Sequence, residues 1–294
     1  RMYMLLLSAS SAGALASLRL ITFDLDDTLW PTGPVVRAAN AKLASALGAD
    51  EDDLQARLKD ARSAGGPKPS YSEARIIAVE SFLLERDPSG SRRAEAEGFF
   101  EMWLAERHAA AGRLLFEGAA EAVAAVRRDH PAAVLAAVTN GRGDPLAMPA
   151  LAACFDFSVS AEDGGIYPER KPAAAPFLAA LRRAGVQRPT PASWCHVGDD
   201  LINDVRAAKR LGAWSVWLAR ESGTEGQPAS SPDDAAASSY WFSTMGEEER
   251  EARRKEAEAA LGAADVTIAD IRDLPEALSP ASRRRGRECP FPGR

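Results

Sequence analysis

The chain has 294 residues, 46% of them hydrophobic and 27% charged, with a formal net charge of −6 at neutral pH. That length can bury one large core or two smaller ones, and the composition is that of a globular protein, which excludes a disordered or fibrous chain. The acidic balance argues against nucleic acid as a partner, and no run approaches the roughly 20 apolar residues of a membrane-spanning helix, so no membrane partner is expected either.

Residues 2–17 are rich in Leu, Ser and Ala and follow Arg1 rather than a Met. They read either as a leader or as the remnant of a targeting peptide, since such segments are Ser-rich and poor in acids. Cys154, Cys195 and Cys289 are odd in number and widely spaced. Neither a disulfide framework nor zinc spacing results, which points to a reducing compartment. The expected location is the cytoplasm, or a plastid or other organelle if residues 1–17 are a targeting remnant.

The first strong element follows. Leu18 and Leu20 lead into Ile21-Thr22-Phe23, a short buried strand, and then Asp24, Asp26 and Asp27 arrive together. Unpaired carboxylates are costly to bury, so the chain must leave the core there. A strand ending in acids puts them at the carboxyl edge of a sheet, where open α/β sheets bind ligands. Asp24 and Asp26 suit a divalent cation, or a division of labour between nucleophile and general acid/base. Alternatively the acids cap a following turn and helix.

Pro31 and Pro34 end the strand. Helical spacing then predicts helices over Val35–Leu47, Asp52–Arg62, Ser72–Glu85 and Arg93–Ala111, with a Gly/Pro linker at 63–70. With no convincing strand among them, these helices read as an insertion after the first strand, either a lid or a helical layer of the main core. Gly118–Arg128 is a further helix. Ala133–Val138 reads as a buried strand that ends in Thr139-Asn140-Gly141, where a hydroxyl, an amide and backbone N–H groups can bind an oxyanion. Phe155–Val159 is a short strand, 164–172 a loop carrying Arg170 and Lys171, and Ala173–Ala184 a helix. Ser193–Gly198 is the next strand. It runs into Asp199, Asp200 and Asp204, more acids than capping of the helix through Leu211 requires. His196, inside that strand, reads as a packed core residue. Gly212 closes the helix, and Trp214–Leu218 is another buried strand. Alternation of strand and helix implies a parallel sheet with helices on both faces, and it gathers the polar strand ends on one edge.

Beyond Leu218, residues 221–239 are Gly-, Pro-, Ser- and Asp-rich and read as disordered. Glu247–Leu261 reads as an exposed helix, Val266–Ile271 and Leu274–Leu278 as an edge strand and helix, and Ser279–Arg294 as a solvated basic tail.

Four of these segments, FDLDDTLW, VTNG, RKP and GDDLIND, occur in the order and spacing of the four motifs of the haloacid dehalogenase-like hydrolases, which the chain resembles from Leu18 to about Leu218. The resemblance implies an α/β fold, a Rossmann-like parallel core with an inserted all-helical type-1 cap. Its expected units are residues 18–32 and 116–278 for the core (with 221–262 an insertion), 33–115 for the cap, and 1–17 and 279–294 for leader and tail. It further implies a phosphomonoesterase. Asp24 would be the nucleophile, Asp26 the general acid/base, Thr139 a phosphoryl ligand together with Asn140 and Gly141, and Lys171 the charge that neutralises the site. Mg²⁺ would be held by Asp24, the carbonyl of Asp26, Asp199 and Asp204, with Asp200 as the competitor of Asp204. The partner would be a small phosphate ester. Dehalogenases of this family typically lack an acid at the place of Asp26, which favours phosphate chemistry. A phosphomutase stays open, as does a non-catalytic binding protein on the same fold.

Within the family, LITFDLDDTLWPTGPVV, VTNGRGDP and HVGDDLINDVRAAKRLGAWSVWL look most similar to phosphatases of flavin mononucleotide and of 5-amino-6-(5-phospho-ribitylamino)uracil. Tyr71, Phe99, Phe100 and Trp103 could stack on such rings or simply pack between helices. A broad sugar-phosphate or nucleotide phosphatase is the alternative.

Overall fold

The structure is a computed structural model that describes residues 18–63, 68–219 and 247–283. Six parallel strands form one sheet in the order β3-β2-β1-β4-β5-β6. They are β1 (Leu20–Phe23), β2 (Val134–Thr139), β3 (Phe157–Ser160), β4 (Trp194–Gly198), β5 (Trp214–Leu218) and β6 (Val266–Ile268). The central strands are continuous apolar runs because helices cover both of their faces. On one side α5 (Ala119–Asp129) lays down Ala119, Ala122, Val123 and Val126, one stripe at helical spacing, with the short helix Leu274–Ala277 beside it. On the other, α6 (Ala175–Arg183) contributes Phe177, Ala180 and Leu181, and α7 (Ala207–Arg210) adds Ala207 and Ala208.

The strand order reverses between β1 and β4. The chain runs outward through β2 and β3, then crosses back to β4 and runs outward again through β5 and β6. Such a switch leaves a crevice at the carboxyl ends of the strands on either side. Register sets what lines it: Phe23 lies level with Ala137 and Val197, so the residues that follow all three strands emerge together.

Between β1 and β2 stand α1 (Thr32–Leu47), α2 (Glu51–Ser63), α3 (Tyr71–Arg86) and α4 (Arg93–Arg113). They share an apolar core of their own, built from residues such as Leu43, Val79, Phe82, Phe100 and Trp103. Ser70 caps α3 by accepting from the Glu73 N–H at 3.1 Å. The core grips the same helix end: the Glu162 carboxylate accepts from the Tyr71 and Ser72 N–H groups at 3.1 and 3.3 Å. The end of α4 leaves the helical cluster, and its Ala110 and Ala111 pack into the main core beside Leu25, Leu29 and Trp30.

Some sequence expectations shift. The helix after β4 opens with a π-helical turn, Leu201–Arg206, before α7. The helix Glu247–Glu258 is not simply solvated. Ala257 beside its end is buried, and Ala260 just after it packs on Leu201, Val205 and Trp217. Arg283, read as part of a solvated tail, is buried and donates to the Pro191 and Ala192 carbonyls. Cys154 and Cys195 are buried and unbridged. Residues 1–17, 221–239 and 284–294, with their expected leader, disorder and remaining tail, lie outside the described residues. Among the described residues no helix is long and apolar enough to cross a membrane.

Candidate active site

The three acids after β1 go to three different tasks. Asp27 takes a left-handed conformation (φ 62°), and its Oδ1 accepts from the Thr32 N–H at 2.9 Å, so it fixes the entry to α1. That is the capping role open to all three on sequence grounds. Asp24 and Asp26 are left facing the crevice.

Asp24 is buried at the centre. Its Oδ1 accepts from Lys171 Nζ at 2.5 Å, and the same ammonium donates to Asp204 Oδ1 at 2.6 Å. The Thr28 hydroxyl donates to Asp199 Oδ1 at 2.9 Å, with Asp24 Oδ2 3.4 Å away. Carboxylate oxygens of Asp24, Asp199 and Asp204 all lie within 4.8 Å of one another. Asp204 comes this close to the sheet because Gly198 has no side chain: a Cβ there would stand 2.5 Å from Asp204 Cγ.

The electrostatics follow from the crowding. Burial, reinforced by Asp204 and Asp26 and opposed by Lys171, pushes the Asp24 carboxyl up to about 8. Burial and then Asp24 and Asp204 raise Asp199 well above the usual carboxylate range. Burial alone would also raise Asp204, but Lys171 and His196 outweigh it and hold that group at about 2. Burial would lower Lys171; Asp204 and Asp24 keep it above its ordinary value instead. Lys171 thus serves Asp24 and Asp204 but does not bond Asp199, and Asp24 and Asp199 are driven towards their neutral form. A divalent cation relieves that directly, and hard oxygen donors in such a cluster suit Mg²⁺.

Asp200, the competitor of Asp204, is committed elsewhere. Its Oδ1 accepts from the Ile202 and Asn203 N–H groups at 2.8 and 2.9 Å, and its Oδ2 accepts from Asn203 Nδ2 and from Arg253 of the helix Glu247–Glu258. It caps the π-helical turn, whereas Asp204 faces Asp24.

Thr139 is buried at the end of β2. Its Oγ1 accepts from the Gly141 N–H at 3.1 Å. The hydroxyl proton is left to donate, but the Gly141 N–H expected to meet an oxyanion is turned onto Thr139. Asn140 also differs from its expected part in substrate binding. Its Nδ2 donates to the Lys171 carbonyl at 3.0 Å and its Oδ1 accepts from the Lys171 N–H at 2.8 Å, so it clamps the lysine loop.

Sequence reasoning missed several contributors. His196, read as a core residue, is fully buried, yet its Nε2 lies 3.3 Å from Asp204 Oδ1 and its Nδ1 2.8 Å from the Thr22 hydroxyl. Trp194 Nε1 donates to that hydroxyl. Burial lowers the imidazole's basicity against the pull of Asp204, and an Nε2–H tautomer lets each of these groups find its partner. Arg107, far off in α4, donates through Nη2 to Asp26 Oδ1 and Oδ2 at 2.6 and 2.7 Å. Trp30 Nε1 donates to Asp26 Oδ1 at 2.9 Å. Of the aromatics considered for ring stacking, Phe100 and Trp103 stack on each other at 5.9 Å inside the helical cluster, and Phe99 packs against it. Tyr71 instead has the Arg62 and Arg170 guanidinium groups against its ring, 3.5 and 5.4 Å from the centroid.

The family model for haloacid dehalogenase-like hydrolases matches residues 18–212. Among solved structures, the 2-haloacid dehalogenase from Pseudomonas syringae pv. Tomato DC3000 is 27% identical with a TM-score of 0.60, over 89% of this chain and 98% of that one. The L-2-haloacid dehalogenase from Xanthobacter autotrophicus is 18% identical with a TM-score of 0.48, over 89% and 98% of the two chains. A HAD phosphatase from Thermococcus onnurineus is 22% identical with a TM-score of 0.40, over 71% and 91%. No curated protein matches the chain.

Proposed function

The chain belongs to the haloacid dehalogenase-like hydrolase family, and from that premise we propose that it is a Mg²⁺-dependent phosphomonoester hydrolase acting through an aspartyl-phosphate. One observation carries the reading: a second carboxylate, Asp26, is held beside the nucleophile by two donors of its own. Expelling a halide needs no proton, because halide is a stable anion. Expelling an alkoxide does, and a positioned acid supplies it. The 27% identity to a 2-haloacid dehalogenase favours dehalogenation as the second reading.

Asp24 attacks phosphorus, and Thr139 donates its hydroxyl proton to a phosphoryl oxygen. Lys171 offsets the charge of Asp24 and Asp204. Asp26 protonates the leaving oxygen and then takes a proton from the water that attacks the aspartyl-phosphate. Asp24, Asp199, Asp204 and the Asp26 carbonyl would hold Mg²⁺, which when bound supplies the positive charge that lets a carboxylate meet a phosphate.

The helices of residues 33–115 act as a cap in this reading, and the substrate is a small phosphate ester. Flavin mononucleotide or the phosphorylated riboflavin precursor is our preferred class on the similarity of the core segments. A broader sugar-phosphate specificity, or a phosphomutase, is the competitor.

The test is phosphate release from p-nitrophenyl phosphate and from a metabolite-phosphate panel with Mg²⁺, set against chloride release from 2-chloropropionate. Phosphate release supports the reading; chloride release without phosphate release overturns it. The flavin assignment expects kcat/KM for flavin mononucleotide to exceed that for simple sugar phosphates by at least ~10-fold, about 1.4 kcal/mol of discrimination. Equal values remove the flavin and leave the chemistry.

A further inference from the structure

Arg107 is 3% exposed, so its guanidinium has lost nearly all its water. A cation so placed is strongly destabilising without a partner. Its charge is committed to Asp26, 81 residues away, through one amino group that reaches both carboxylate oxygens. The other amino group, Nη1, is buried with no hydrogen-bond partner among the described residues. It lies against Gly143, where a Cβ would come within 2.9 Å of it and 3.1 Å of Trp30. The glycine leaves the arginine room to reach Asp26.

The donors also orient the acid. Among the described residues, Asp26 Oδ1 accepts from both Trp30 and Arg107, whereas Oδ2 accepts from Arg107 alone. Oδ2 lies over Gly141: a Cβ on that residue would be 2.9 Å from Oδ2 and 3.8 Å from Thr139 Oγ1. The less occupied oxygen is therefore the one beside the hydroxyl that meets the phosphoryl group. The Asp26 side chain keeps 21% exposure, while that of Arg107 has 4%. The carboxylate faces the cavity and the arginine backs it.

We propose that Arg107 is a positioning residue for the reaction, holding Asp26 with Oδ2 towards the leaving oxygen and taking up the charge that forms there; this rests on the phosphohydrolase reading above. As the bond from Asp24 to phosphorus forms, the bond from phosphorus to the ester oxygen breaks and its electron pair stays on that oxygen. The oxygen takes the proton of Asp26. The carboxylate left behind is the species that Arg107 and Trp30 bond, and charge-assisted bonds of this kind are the stronger ones. In the second step that carboxylate takes a proton from water as the water oxygen displaces Asp24 from phosphorus.

The test compares p-nitrophenyl phosphate, whose leaving anion is stable without a proton, with phenyl phosphate, whose leaving anion is not. The measured quantity is kcat/KM, which covers steps through the first phosphoryl transfer and leaves out breakdown of the aspartyl-phosphate. Arg107→Met is expected to lower kcat/KM for phenyl phosphate at least ~10-fold more than for p-nitrophenyl phosphate. Arg107→Lys, which keeps the charge and most of the packing, shifts the same ratio less. Once Asp26→Asn has removed the acid, Arg107→Met leaves the ratio unmoved. Equal losses on both esters in both Arg107 variants, or a ratio change that persists in the Asp26→Asn background, overturn the proposal alone. Absence of phosphate release from either ester by the unaltered protein overturns the hydrolase reading and the proposal with it.

Discussion

Asp24 and Asp26 stand two residues apart, yet their surroundings come from different parts of the molecule. Around Asp24 every partner is furnished by the sheet edge and its loops: Lys171, Thr28, Asp199 and Asp204. Around Asp26 the decisive partner, Arg107, belongs to a helix inserted between β1 and β2. Strand register holds the first environment together. The second exists only where α4 is docked on the core. The proposed nucleophile and cation site thus come with the fold, whereas the proposed acid is set by the insertion. Damage to the two halves should look different.

The largest effect is expected on the nucleophile half. Asp24→Asn should lower kcat at least ~10³-fold on every ester, because no covalent intermediate can form. Thermal melting should stay near that of the unaltered protein. Substantial phosphatase activity in this variant would remove Asp24 from its role.

Two glycines probe the halves separately. Gly198→Ala places a Cβ 2.5 Å from Asp204 Cγ and 2.6 Å from its Oδ2, against a fully buried side chain. A loss on the order of 10²-fold is expected, together with a weaker thermal response to Mg²⁺. Gly141→Ala meets only side-chain ends, Asp26 Oδ2 at 2.9 Å and Arg107 Nη2 at 3.5 Å, which can give. Its expected loss is about 10-fold and falls hardest on phenyl phosphate. If Gly141→Ala weakened the Mg²⁺ response as much as Gly198→Ala, the two halves would not be separable.

The cation response also depends on pH. Burial pushes the Asp24 carboxyl up from its ordinary value of 3.8 to about 8. A raised folded-state pKa contributes stability that is complete below about pH 4 and is lost as pH rises through about 8. A cation at Asp24, Asp199 and Asp204 competes with the same protons, so it binds more tightly at pH 8 than at pH 6. The Mg²⁺-induced rise in Tm should therefore grow over that interval. It should reach about 5 °C when Mg²⁺ exceeds its Kd about 100-fold. A rise that shrinks with pH would contradict the assignment of Asp24 to the cation site.

What the sequence could reveal divides along the same line. The strand-end acids were legible because a buried strand is an apolar run and its end is an abrupt change of polarity. Which acid would cap was not: Asp27 is selected by a left-handed backbone at that one position, which no spacing encodes. The same holds for Asp200, whose partners come from the π-helical turn and from Arg253. His196 is the packed core residue the strand pattern implies, but its contact with Asp204 depends on where the following turn folds back, which no strand pattern shows. Arg107 did leave a trace. With Ala110 and Ala111 it forms an i, i+3, i+4 stripe on the buried face of α4, and an arginine on an apolar stripe needs a buried anion. Its partner could not be named without knowing where α4 docks.

Trp30→Phe is the finest probe of the comparison. Trp30 is fully buried, and its indole N–H is the second donor to Asp26 Oδ1. Phenylalanine keeps an aromatic ring in the core and removes that bond. The bond is neutral on the donor side, so its loss should cost about 1 kcal/mol, where a charged donor would cost more. Asp26 keeps Arg107 and stays near its place with a wider range of orientation. The expected result is a fall of about 3- to 5-fold in kcat/KM for phenyl phosphate and less than ~2-fold for p-nitrophenyl phosphate. The Mg²⁺-induced rise in Tm should be unchanged, because nothing around Asp24, Asp199 or Asp204 is touched. Combined with Arg107→Met, the loss should exceed the product of the two single effects, since each donor alone still restrains the carboxylate and the pair removes both. Equal losses on the two esters, or a weakened Mg²⁺ response, would mean that the acid and the nucleophile share one environment after all.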